Sequence, residues 1–157
     1  MSIQDYIIDN AKAAAADAFR FAKAVPEDKQ SWKPLDSGQS VISMCRELGM
    51  TPTWGFQVLT GHMGEGGEES REQQKQEMDS WTTVEACEQQ FDARFALLAD
   101  HYRSMTEEDF VKTMWLPFNG GRDHTYLELM DYPRWNCNYH LGQIAYIQTL
   151  YGDKEMH

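Results

Sequence analysis

Apolar side chains recur at helical spacing in four separate stretches of the chain. In the first, Ile3, Ile7, Ala14, Phe21 and Val25 fall near one stripe and Pro26 ends the run, which predicts a helix over 3–25. Asn10 and Asp17 lie near the same stripe, either at its edge or facing a polar pocket. A polar connection carrying Trp32 and Pro34 leads to Ser40, a good N-cap for a second helix over 41–60 with Val41, Met44, Leu48 and Leu59 on its apolar positions. Gly49 and Pro52 interrupt that helix and predict a kink, because proline cannot donate to the carbonyl of Leu48.

Residues 65–79 have no apolar period and read as a solvated connection, with an acidic docking surface as the alternative. The clearest stripe follows: Val84, Phe91, Phe95, Leu98, Tyr102 and Met105, with Thr82 and Glu85 spaced as a capping box, predicts a helix over 83–104. A short helical turn begins at Thr106. Pro117 and the pair Gly120-Gly121 then point to an extended segment or short hairpin. The last helix is expected over 126–151, with Thr125 as N-cap, Pro133 interrupting it and Gly152 at its end. Four long amphipathic segments without a strand pattern predict an all-α fold, a four-helix bundle formed as a single domain over 1–157.

Composition narrows the function. With 14 basic against 25 acidic side chains and a formal charge of -11, the chain would repel a phosphate backbone, so no nucleic-acid partner is expected. No apolar run is long enough for a membrane span and no signal-peptide pattern opens the chain, so no membrane partner is expected either. Cys45, Cys87 and Cys137 are odd in number and widely spaced, as suits a reducing cytoplasm.

Two stretches carry a family resemblance. KAVPEDKQSWKPLDSGQSVISMCREL places Trp32 and Pro34 before Ser40 and Val41, and NCNYHLGQIAYIQTLYG places His140 before Gly142, Gln143 and Ile144 and closes on Tyr151 and Gly152. Together with helix order and length, these make the chain resemble the DinB/YfiT-like family of four-helix bundles over nearly its whole length. The resemblance implies a divalent metal held by three histidines, one on the second helix and two on the last at HxxxH spacing. It also implies thiol-transferase chemistry with a low-molecular-weight thiol, although many members have no assigned activity.

This chain departs from that pattern at two of the three positions, which become Glu47, Asn136 and His140. Asn136 and His140, four apart, share a helix face, and a bundle can bring a second-helix residue against that face, so the three are expected to converge. An amide oxygen and a carboxylate are harder donors than imidazole and shift preference toward magnesium, manganese or calcium. The competing reading is a hydrogen-bonded polar cluster without metal, since buried polar groups must be paired.

Cys137 and Gln143 are candidates to line the pocket, Cys137 either as a nucleophile beside His140 or as a buried apolar residue. Cys45 is assigned to packing. His62 lies about 22 Å beyond Glu47 along a continuous helix, too far to join the site. His101 is expected on the solvated face, and His124, at the entrance to the last helix, could approach a pocket. The five tryptophans either pack the core or line an aromatic ligand pocket.

Two functions therefore compete. One is a divalent-metal-dependent thiol transferase with an altered, weakened metal site. The other is a non-catalytic small-ligand-binding or dimerisation domain that has lost the metal. A homodimer is expected in either case, from the many aromatic and methionine side chains and by analogy with the family.

Overall fold

The computed structural model describes residues 1–157, with the side chain of Asn119 outside the description. Helix α1 spans Ile3–Ala24, α2 Val41–Thr60, α3 Gly67–Ser80, α4 Val84–Ser104 and α5 Glu107–Phe110. Strands β1 (Thr113–Leu116) and β2 (Arg122–Thr125) follow, then α6 (Tyr126–Met130) and α7 (Tyr132–Leu150). The fold is all-α apart from this hairpin. No described helix is long and apolar enough to cross a membrane.

The four long helices α1, α2, α4 and α7 surround one cluster of buried apolar residues, with α2 packed chiefly on α4 and α1 chiefly on α7. The α4 stripe is buried at all six predicted positions. On α1 the buried face is instead Ile7, Ile8, Ala11, Ala14, Ala15, Ala18, Phe19 and Ala22, while Ile3 is exposed. The run of alanines permits close approach, so the helix turns this small-residue face inward and leaves Phe21 half-buried at its edge. Asn10 bonds back to the Tyr6 carbonyl at 2.8 Å and Asp17 pairs with Arg20, so both sit at the rim rather than in a pocket. Gly49 marks another close approach: a Cβ there would come within 2.9 Å of the Trp81 ring and 3.0 Å of the Cys87 carbonyl.

Caps set the helix boundaries. Ser40 Oγ accepts from Ser43 N, as expected, and α2 runs on through Pro52 to Gly61, whose φ of 76° closes it. The cap of α4 lies one residue later than predicted, with Thr83 Oγ accepting from Ala86 N. Residues 67–80 form a helix, α3, where a connection was expected. It buries no side chain, so it carries no apolar period to read. Glu68 and Glu69 occupy its first turn, where the helix dipole favours acid. Its far end is tied down by Lys75 to Asp79 at 3.1 Å, by Arg94 to Glu77, and by Arg46 to the carbonyls of Asp79 and Trp81.

The hairpin pairs Met114 with His124 and Leu116 with Arg122. Cross-strand partners share a face, so these four side chains stand together on one side. A full capping box follows: Thr125 Oγ accepts from Glu128 N and the Glu128 carboxylate accepts from Thr125 N. The expected last helix is divided at Asp131, because Pro133 cannot donate to the Leu129 carbonyl. At this break the buried Tyr102 hydroxyl donates to the Met130 carbonyl at 3.1 Å, joining α4 to the α6–α7 corner.

Tyr102→Phe keeps the ring packing and deletes that bond, so it is expected to lower stability by about 1–3 kcal/mol. Thermal melts should register this as a drop of a few degrees, and an unchanged melting temperature would deny the bond its role.

Candidate functional site

The α2–α7 seam brings Glu47, Asn136 and His140 together. Glu47 Oε1 lies 3.1 Å from His140 Nε2, within ion-pair distance, and among the described residues that nitrogen makes no directed hydrogen bond. The His140 side chain is 3% exposed, whereas the Glu47 side chain is 41% exposed and reaches the surface. Gln143, one turn on from His140, places Oε1 at 2.7 Å from Nδ1. An amide oxygen only accepts, so Nδ1 carries the proton, and Nε2 donates to Glu47 only when the ring is doubly protonated. Gln39, from the loop before α2, donates to Glu47 Oε2 at 3.2 Å.

Asn136 is oriented by a residue that the sequence reading did not single out. Thr51, buried and one turn after Glu47 on α2, donates its hydroxyl proton to the Glu47 carbonyl at 3.0 Å. Having one proton to give, Thr51 can only accept from Asn136, whose Nδ2 lies 2.8 Å from Oγ1. The amide nitrogen therefore faces Thr51, and Asn136 helps hold the Glu47 carboxyl low. This geometry does not fit the metal triad implied by the resemblance. Asn136 presents a donor where a ligand oxygen would be needed, leaving two ligating groups, Glu47 and His140. Among the described residues no group of three or more His, Cys, Asp and Glu side chains is arranged to hold a metal ion.

The His140 contact holds the Glu47 carboxyl below its ordinary range, burial opposes this, and Gln39 and Asn136 reinforce it. Cys137 is fully buried in the apolar core and is not among the cleft-lining residues. Burial pushes its thiol up to about 12, which makes it a packing residue and a poor nucleophile. Cys45 is likewise buried, with its thiol pushed up. His62 is exposed beside Thr60, and His101 is half-buried with its ring edge-on to Phe56.

Glu47 and Asn136 form one wall of a cleft of about 570 Å³ between α2, the hairpin and the α6–α7 corner. Trp54, Tyr132, Trp135 and Tyr139 supply an aromatic side, with Trp54 and Tyr132 at 4.3 Å between centroids and Trp135 stacked on Tyr139 at 5.3 Å. The hairpin contributes Leu116, Arg122 and His124. His124 is 8% exposed, and its Nε2 is buried without a partner. Among the tryptophans, Trp54 and Trp135 thus line a pocket while Trp81 packs in the core. No alternation of apolar and polar residues marks the hairpin's inward face, since Met114, Trp115 and Leu116 are all apolar and Arg122–Thr125 all polar.

Because the folded state lowers the Glu47 pKa, the carboxylate's contribution to stability is complete above the ordinary carboxylate range. It fades as pH falls through the lowered value. Unfolding measured across acidic pH is expected to show this loss in the native chain and a flatter profile in Glu47→Gln; superimposable profiles would remove the pair from the pH response. His140→Ala, which strips both Gln143 and Glu47 of a partner, should cost about 1–3 kcal/mol at neutral pH.

No protein-family model matches the chain and no curated protein gives a significant match, so neither comparison ties it to the DinB/YfiT-like family.

Proposed function

We propose that the chain is a small-molecule-binding domain on a DinB/YfiT-like four-helix bundle, in which a hydrogen-bonded polar cluster stands where the family holds its metal. The observation that carries this reading is the cleft. Its volume lies within the range that holds small organic ligands, and it combines an aromatic side with a few fixed polar groups. The polar groups are held before any ligand arrives: Arg122 by Glu128, Asn136 by Thr51 and Glu47 by His140. Such pre-organisation lowers the entropic cost of binding. The resemblance in 23–48 and 136–152 supports the bundle type, and three free, buried cysteines suit a cytoplasmic location.

The second reading is a divalent-metal-dependent thiol transferase working with a low-molecular-weight thiol. It is favoured by the 3.1 Å between His140 Nε2 and Glu47 Oε1, because two cis ligands of one ion stand roughly 3 Å apart. It has two ligating groups where the family uses three.

Fragment titration followed through the indole resonances of Trp54 and Trp135 separates the two readings. The cleft reading expects several small organic fragments to shift these signals in metal-free protein, and Trp54→Leu to weaken them about tenfold. No shift at millimolar concentrations, together with stoichiometric metal in chelator-free preparations, would favour the transferase.

The proposal includes a homodimer. Trp135, Tyr139, Tyr146 and Leu150 lie exposed along one face of α7 at spacings of four, seven and four, an apolar row suited to a symmetric interface. Light scattering is expected to give a dimer mass, and Tyr146→Glu combined with Leu150→Glu a monomer. A monomeric mass for the unsubstituted chain at micromolar concentrations would remove the dimer.

A further inference from the structure

We propose that the ligand of this cleft is a small organic cation, an ammonium group carried on an apolar body. This rests on the cleft being a binding site and adds the chemical class of its occupant. The argument begins with the charges that line the cleft. Glu128 is held by Arg122 at 3.0 and 3.3 Å, and Asp131 by Arg134 at 2.6 and 2.7 Å, so each of these carboxylates has an internal guanidinium. Glu47 has none. Its one ionic contact is His140, which holds Oε1 from the buried side and does not itself line the cleft. A carboxylate that is 41% exposed on a cleft wall, with no Arg or Lys against it, is, among the described residues, the one lining charge left for a ligand to neutralise.

The aromatic side gives the same sign. Tyr132 stands 4.3 Å from Trp54 and 5.9 Å from Trp135, a continuous aromatic surface beside Glu47. Ring faces carry negative potential and attract cations, most strongly where water is partly excluded. The Glu47 field reaches this surface: after burial, its charge is the largest influence pushing the Tyr132 hydroxyl up to about 12.

The third observation is independent of both. His124 lines the cleft from the hairpin, more than nine-tenths buried, with Nε2 lacking any partner. An unpaired buried polar atom is costly unless something completes it. The Nδ1–H tautomer of His124 would present Nε2 as an acceptor for an ammonium N–H, and the excess of acid over the whole chain draws cations toward it.

The test compares three probes of one shape and different charge: 2-phenylethylammonium, 2-phenylethanol and 3-phenylpropionate. Each is titrated into the full chain at neutral pH and followed by tryptophan fluorescence and by the Trp54 and Trp135 indole resonances. The ammonium is expected to bind at least tenfold more tightly than the alcohol, and the carboxylate more weakly than either. Glu47→Gln is expected to erase the difference between ammonium and alcohol. Equal affinity for ammonium and alcohol, or a preference that survives Glu47→Gln, would overturn the cation. Other fragments occupying the cleft while the ammonium does not would overturn the cation and leave the cleft as a binding site. If no fragment of any charge binds, the binding reading itself falls. Should Glu47→Gln fail to fold, the ranking of the three probes on the unsubstituted chain decides the matter.

Discussion

A single hydroxyl proton on Thr51 governs the chemistry of the seam between α2 and α7. It goes to the carbonyl of Glu47, which leaves the Thr51 oxygen as an acceptor and turns the Asn136 amide nitrogen inward. That orientation lets Asn136 support the Glu47 carboxylate and stops it presenting an oxygen to the same space. The site is consequently a network of hydrogen bonds and one close ion-pair contact around one acid and one imidazole. Such a network is stable only while every member stays paired, because a buried polar group without a partner loses its full hydration.

The cleft depends on the corner that faces this seam. Pro133 divides the last helical run at Asp131, and the hairpin folds onto the break with Leu116, Arg122 and His124 on its inward face. Glu128 has two duties here, capping α6 through Thr125 and holding Arg122 in an ion pair. These contacts keep its carboxyl low, near 2. The pair is largely exposed, so its value is positional: it directs the guanidinium and adds little to stability. Tyr102 anchors the same corner from α4, so the wall opposite Glu47 is tied into the core.

Charge is distributed so that opposite groups are mostly consumed within the structure. Arginines pair along their own helix or with the neighbouring element, as Arg46, Arg94 and Arg134 do, and the acidic helix α3 is fastened at its C-terminal end by two of them. Against that background Glu47 stands apart, since imidazole rather than guanidinium answers it. Of the carboxylates lining the cleft, it has the least fixed compensation.

The helices were legible in the chain wherever periodicity is local. Val84 through Met105 appear as one stripe, Ser40 and Thr125 cap as their side chains dictate, and Asn136 and His140 share a face because four residues is close to one helical turn. These follow from backbone hydrogen bonding between near neighbours, which each segment carries in itself. What tertiary structure alone decided concerns who meets whom. The alanine face of α1 turned inward in preference to Phe21 because a neighbouring helix could approach it closely. Residues 67–80 became a helix although no apolar pattern marks them, since their ties run to Arg46 and Arg94 on other elements. Thr51 and Gln39 lie within eight residues of Glu47, but the Thr51–Asn136 bond and the aromatic side running from Trp54 to Tyr139 join segments far apart in the chain. Their meeting is set by packing of the whole core, and so is the direction in which Asn136 points.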